Sequence, residues 1–265
     1  MSARARVWVV VAVAAIAAAG TAVGVTLATR SDVRPSTSKP PPFVPDPTAP
    51  AVVDRDVRDA LAAWPAGTVR RLRILTARHS GSALVRLELG LALAFSGQVE
   101  DAKRAWQDAE RVQPDSPSAV HAQDLRHPGT PPGLPPFVPS VTVPRTPAES
   151  RLLRGAAYQQ ALRPVSAERE FATAAKIAPN DPEAVTAVEV GLYDKDRPAA
   201  AFSQLGPLVR RFPHAQTVRF HLGLLLIYFG DLSRARHELA LARTEGPRTR
   251  LGKKADTLLK AGRKS

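Results

Sequence analysis

Cysteine is missing altogether from the 265 residues. That excludes a disulfide framework, thiolate zinc or iron–sulfur ligation, and a thiol nucleophile. Aromatic residues make up only 5% of the chain, too few to suggest a stacking platform for single-stranded nucleic acid. Acidic residues are also in deficit, 24 against 37 basic, which leaves a net charge of +13. The excess is mostly guanidinium, 29 Arg against 8 Lys. It points to anionic or neutral partners, and it fits equally the codon bias of a GC-rich genome. What is present is a globular composition, 44% apolar and 23% charged. The 25 prolines gather in two tracts that cannot join a continuous core, so the folded part is well short of the full length.

Residues 1–6 form a short tail with Arg4 and Arg6, followed by an uncharged stretch from Val7 to Thr29 that Arg30 closes. At about 1.5 Å per residue this stretch spans a bilayer. A cleaved signal peptide competes, with Thr26-Leu27-Ala28 as its cleavage site. The run exceeds a typical apolar signal core of roughly 7 to 15 residues, and the reading taken is an uncleaved single-pass anchor over 7–29. Flanking charge barely sets the orientation; the short tail favours a cytoplasmic N-terminus and an extracytoplasmic body. Gly20 and Gly24 stand in a GxxxG spacing that would let two anchors approach as a homodimer, although such a spacing arises by chance in an Ala/Gly-rich helix. Residues 30–53 read as an extended proline-rich linker of about 70 Å at most.

Self-similarity organises the rest. Arg111-Val112-Gln113-Pro114-Asp115-Ser116-Pro117 echoes Lys176-Ile177-Ala178-Pro179-Asn180-Asp181-Pro182. With each central proline at position 32 of a 34-residue unit, units begin at 83, 148, 182 and 216. Position 8 is then Gly90, Gly155, Glu189 and Gly223, position 20 is always alanine, and position 24 is Trp106, Phe171, Leu205 and Leu239. Positions 20, 24 and 27 share one helical face, small residues allow close approach of paired helices, and the proline stops the second helix. Glu189 breaks the pattern and predicts a splayed or shifted pair in the third unit. Leu72 and Leu75 mark a degenerate repeat upstream. A single helix is expected over Pro117–Leu125, and Leu251, Ala255, Leu258 and Leu259 stripe a terminal capping helix.

These units closely resemble the tetratricopeptide repeat. The resemblance implies an all-α, right-handed α-solenoid of helix pairs, here carried behind an N-terminal transmembrane helix. The organisation is a degenerate repeat, a first full repeat and an extra helix over 54–127, a proline-rich insert over 128–147, three consecutive repeats over 148–247, and a basic capping helix over 248–265. Within the insert, Pro135-Pro136-Phe137-Val138-Pro139 copies Pro41-Pro42-Phe43-Val44-Pro45 of the linker. The copy is either a chance of composition or a pair of ligands presenting an apolar Phe to one kind of groove.

Catalytic patterns are absent. His121, Asp124 and His127 come nearest to a metal constellation, but their spacing does not put all three on one tight face. Gly246–Lys254 lacks the glycine spacing and the Ser/Thr of a phosphate loop, and no GxSxG occurs. No enzyme activity, cofactor or metal is expected, and the basic C-terminus has no accompanying nucleic-acid motif. The resemblance implies a scaffold that binds an unidentified protein or peptide. Its inner surface would be lined by Leu152, Ala156 and Gln159, then Thr186, Val190 and Tyr193, then Phe220, Leu224 and Ile227, none of them charged. The alternative is binding of an anionic envelope polymer or lipid surface through Lys253, Lys254, Lys260 and Lys264. The insert and the terminal helix are also candidates to cover that inner surface, with Tyr193 the position expected to be least covered.

Overall fold

Prolines and short polar side chains set the helix starts. Ser82, Ser116, Thr146, Asp181, Asp231 and Thr249 each accept a backbone N–H of the first turn, satisfying a donor the helix cannot. Thr146 and Glu149 complete a reciprocal capping box around Pro147. The computed structural model describes residues 39–262. Among them are twelve helices and no β-strand: α1 Ala51–Leu61, α2 Thr68–Arg78, α3 Ala83–Phe95, α4 Val99–Val112, α5 Pro117–Arg126, α6 Pro147–Gln160, α7 Pro164–Ile177, α8 Pro182–Gly191, α9 Pro198–Arg211, α10 Gln216–Phe229, α11 Leu232–Glu245 and α12 Arg250–Ala261. Within each compact unit described below, neighbouring helices pack in chain order. The expected anchor over 7–29, the Gly20/Gly24 pair and Lys264 lie outside the described residues. No helix among those described is long and apolar enough to cross a membrane.

The described residues divide into two compact units, 39–128 and 129–262. The first contains α1–α5 around a core that includes Val57, Leu72, Leu84, Leu87, Leu91 and Trp106. The second contains α6–α12 around Leu152, Phe171, Leu205, Phe220, Leu225 and Leu251. Each fully buried Leu or Phe contributes on the order of 2–3 kcal/mol of transfer free energy.

The small residue at position 8 faces the large one at position 24 of its own repeat. A Cβ on Gly90 would fall 2.2 Å from the Trp106 ring, one on Gly155 2.3 Å from Phe171, and one on Gly223 2.7 Å from Leu239. These helix pairs, α3/α4, α6/α7 and α10/α11, therefore close only on glycine. In the third repeat Glu189 takes that place, and α8 packs more against α7 and α10 than against its own partner α9. Its Oε2 is buried without a hydrogen-bond partner among the described residues, and burial raises its pKa.

The linker departs from the reading of a free spacer. Helix α1 begins at Ala51, inside the expected linker, and Pro41, Val44 and Asp46 are buried.

Candidate peptide-binding site

In the unit 129–262, the proline-rich insert lies as a helix-free strand across the first helices of the repeats. Five prolines between Pro131 and Pro139 remove backbone donors, so few N–H groups need partners. Two of those that remain, and the N–H of Ser140 just beyond, meet side chains. Phe137 N donates to Gln159 Oε1 at 2.7 Å and Val138 N to His221 Nε2 at 2.9 Å. Ser140 presents both its N–H and its hydroxyl to the Glu183 carboxylate. The strand's carbonyls are held as well. Lys195 Nζ donates to Pro131 O at 2.8 Å, Tyr228 OH to Leu134 O at 3.1 Å, and Arg250 to Pro139 O at 2.8 Å and Val141 O at 3.2 Å.

Phe137 is the apolar anchor of this strand. Its ring stacks on His221 with centroids 4.8 Å apart and meets Phe171 edge-on at 5.1 Å. Because Val138 N–H points at Nε2, the imidazole carries its proton on Nδ1 and donates it to Thr217 O at 2.8 Å. Protonating Nε2 would set donor against donor. Complete burial, opposed only by the Thr217 carbonyl, depresses the His221 pKa to about 4.

The nine expected lining residues all belong to this unit. Leu152, Ala156, Thr186, Val190, Tyr193, Phe220, Leu224 and Ile227 are buried, and Gln159 is half-buried with its amide oxygen on Phe137. Tyr193, the position expected to be least covered, is 6% exposed and packs edge-on against Tyr228. Burial, aided by Asp194, raises its phenol to about 12. Tyr193→Ala is therefore a packing mutation and does not isolate partner contact.

The unit 39–128 holds the other copy of the pentapeptide. Val44 is buried and its N–H donates to Glu88 Oε1 at 2.7 Å. Phe43 is half-buried beneath the Arg58 guanidinium, 3.9 Å from the ring centroid. Asp46 Oδ2 accepts from Ser118 N at 3.1 Å and from Ser118 Oγ at 2.6 Å. Glu88 is fully buried, its Oε2 lacks a hydrogen-bond partner among the described residues, and desolvation raises its pKa to about 8.

The two dockings share one register. Glu88 is the sixth residue of the unit beginning at 83, and His221 is the sixth of the unit beginning at 216. Each accepts the N–H of the Val in Pro-Pro-Phe-Val-Pro. Downstream, each strand is held from the start of the next first helix, by Ser118 in α5 and Arg250 in α12. In both copies the first Pro and the Val are buried. Neither Glu88 nor His221 belongs to a motif in the sequence. A Glu inside the apolar run of α3, at the same repeat position as a His, is the signal that was there to find.

On α12, Lys253 and Lys260 are exposed and Lys254 is half-buried, its pKa lowered by burial. Lys260 pairs with Asp256 at 2.6 Å. No cluster of three or more His, Asp or Glu that could hold a metal occurs among the described residues. Neither a protein-family model nor a curated protein matches the chain.

Proposed function

We propose that this chain is a tetratricopeptide-type α-solenoid scaffold, anchored in a membrane by residues 7–29 with its body outside the cytoplasm. It binds extended segments of partner proteins in envelope assembly and performs no chemistry with cofactor or metal. One observation carries the reading. In both units a first helix accepts the main-chain N–H of the Val in a proline-rich strand, and in the unit 129–262 Lys195, Tyr228 and Arg250 also hold that strand's carbonyls. A surface that already reads peptide backbone has the hydrogen-bonding equipment for peptide recognition.

The anionic-surface alternative through α12 is less supported, because Lys260 is already paired and Lys254 is partly withdrawn from solvent. Affinity capture of envelope proteins on the full chain in detergent separates the two. Capture should persist at 0.5 M salt, where exposed charge is screened within about 3–5 Å. It should rise in Phe137→Ser, which loosens the resident strand, and be unchanged in Lys253→Gln/Lys260→Gln. Capture that vanishes with salt or with the lysine changes would overturn the groove reading.

A further inference from the structure

We infer that the sixth position of the repeat's first helix is the key of a sequence-specific peptide site whose ligand is an extended segment of a partner protein carrying Pro-Pro-Phe-Val-Pro. The resident copies act as built-in competitors. This rests on the scaffold reading and adds the ligand to it.

Three independent features coincide. The same pentapeptide occurs twice, at Pro41–Pro45 and Pro135–Pro139. Both copies bury the first Pro and the Val. Both give the Val N–H to position 6 of a repeat, although the acceptor is a carboxylic acid in one and an imidazole in the other. Chance repetition in a proline-rich chain explains the shared letters and leaves the shared register unexplained. A common receptor geometry explains both.

The chemistry of each letter follows. The first, second and fifth residues have no N–H, so nothing is left unpaired when they cross the helices. The Phe needs a cationic or aromatic lid, supplied by Arg58 in one unit and by the His221 ring in the other. The Val must be small enough to be buried and must keep its N–H. Just past the motif the two copies are held differently, Asp46 by Ser118 of α5 and Ser140 by Glu183 of α8, while Arg250 of α12 takes the Pro139 and Val141 carbonyls. These requirements define a ligand that a partner can carry in any extended, exposed segment, and polyproline-like chains present it with little loss of entropy.

Resident copies are tethered, and a short tether sets an effective concentration in the millimolar range. The site in the wild-type chain is therefore closed to weak competitors. The test vacates it. The full chain in detergent carries Phe137→Ser/Val138→Ser, and the probe is a fluorescein-labelled peptide with the sequence of residues 39–48. Saturable binding is expected in the variant, at least about tenfold tighter than in the wild type. A probe with N-methylvaline in place of Val should bind about tenfold more weakly, the worth of one hydrogen bond to a buried acceptor. If the variant does not fold alone, the unmodified peptide should restore its helical circular dichroism.

Absence of both binding and refolding would overturn the inference, as would equal binding of the N-methyl probe. Equal binding of a scrambled peptide of the same composition would also overturn the motif rule, while leaving the scaffold reading standing. Failure of the scaffold reading shows separately, as salt-labile capture in the preceding experiment.

Discussion

Acid should release the strand from the unit 129–262, and His221 sets both the direction and the size. In the docked state its pKa lies near 4, against an ordinary 6.5. Between these values the opened chain binds a proton that the docked one refuses, so stability falls as pH falls through that window and levels off below about 4. The loss is on the order of 3 kcal/mol, or roughly a hundredfold in the opening equilibrium. Burial is the main cause of the shift, opposed only by the Thr217 carbonyl. Amide hydrogen exchange read by mass spectrometry on residues 131–145, corrected for intrinsic rates, measures that equilibrium directly. Protection should drop on the order of 100-fold between pH 7 and pH 4. His221→Gln keeps an acceptor for Val138 N–H and has no proton to gain, so it should flatten the profile. A wild-type profile as flat as the variant's would refute the reasoning, because it would mean that Nε2 is not held as an acceptor.

Glu88 should make the unit 39–128 respond in the opposite sense. Its acid stays protonated to about pH 8 when docked and only to about 4.5 when released, so stability falls as pH rises across that interval, and Glu88→Gln should abolish the fall. Urea unfolding followed by Trp64 and Trp106 fluorescence in a Trp8→Phe background reads this unit. Gly155→Ala should lower the unfolding free energy of the unit 129–262 by about 1–3 kcal/mol, read by urea titration of its circular dichroism, because the new methyl would sit 2.3 Å from the Phe171 ring. Asp46→Asn should cost about 1–3 kcal/mol, since an amide cannot offer acceptors on both oxygens to Ser118 and Thr48. Tyr193→Ala should destabilise by about 3 kcal/mol through loss of buried ring packing, visible as a lowered Tm.

The helical skeleton was legible because local rules suffice for it. Proline at position 32, alanine at 20 and the small residue at 8 act within one helix pair, and even the Glu189 anomaly announced a loosened third pair, whereas the seating of the large residue at 24 on the glycine of its own repeat showed only in the structure. The docked strands were not legible as such. Proline-rich composition reads as solvated spacer because it cannot form a ladder of hydrogen bonds. The same scarcity of N–H groups lets Pro131–Pro139 cross buried surface with few donors left unsatisfied. The decisive bond, Val138 N to His221, joins residues 83 apart, and no local pattern signals a pairing of that span. The inner-surface residues were located by position in the repeat. Of them, Gln159 meets the docked strand directly, at Phe137 N.

In both units the strand precedes its acceptor along the chain, Val44 by 44 residues and Val138 by 83. A ribosome adding about 5–20 residues per second makes Val138 roughly 4–17 s before His221. During that interval the strand waits beside helices whose receiving face is unfinished, and its prolines keep it from pairing with other chains as a sheet edge. When α10 emerges, its occupant is already covalently attached and a short diffusion away. The order of synthesis thus delivers the occupant before the receiving face is complete, which shortens the time that the apolar rings lining it stand uncovered.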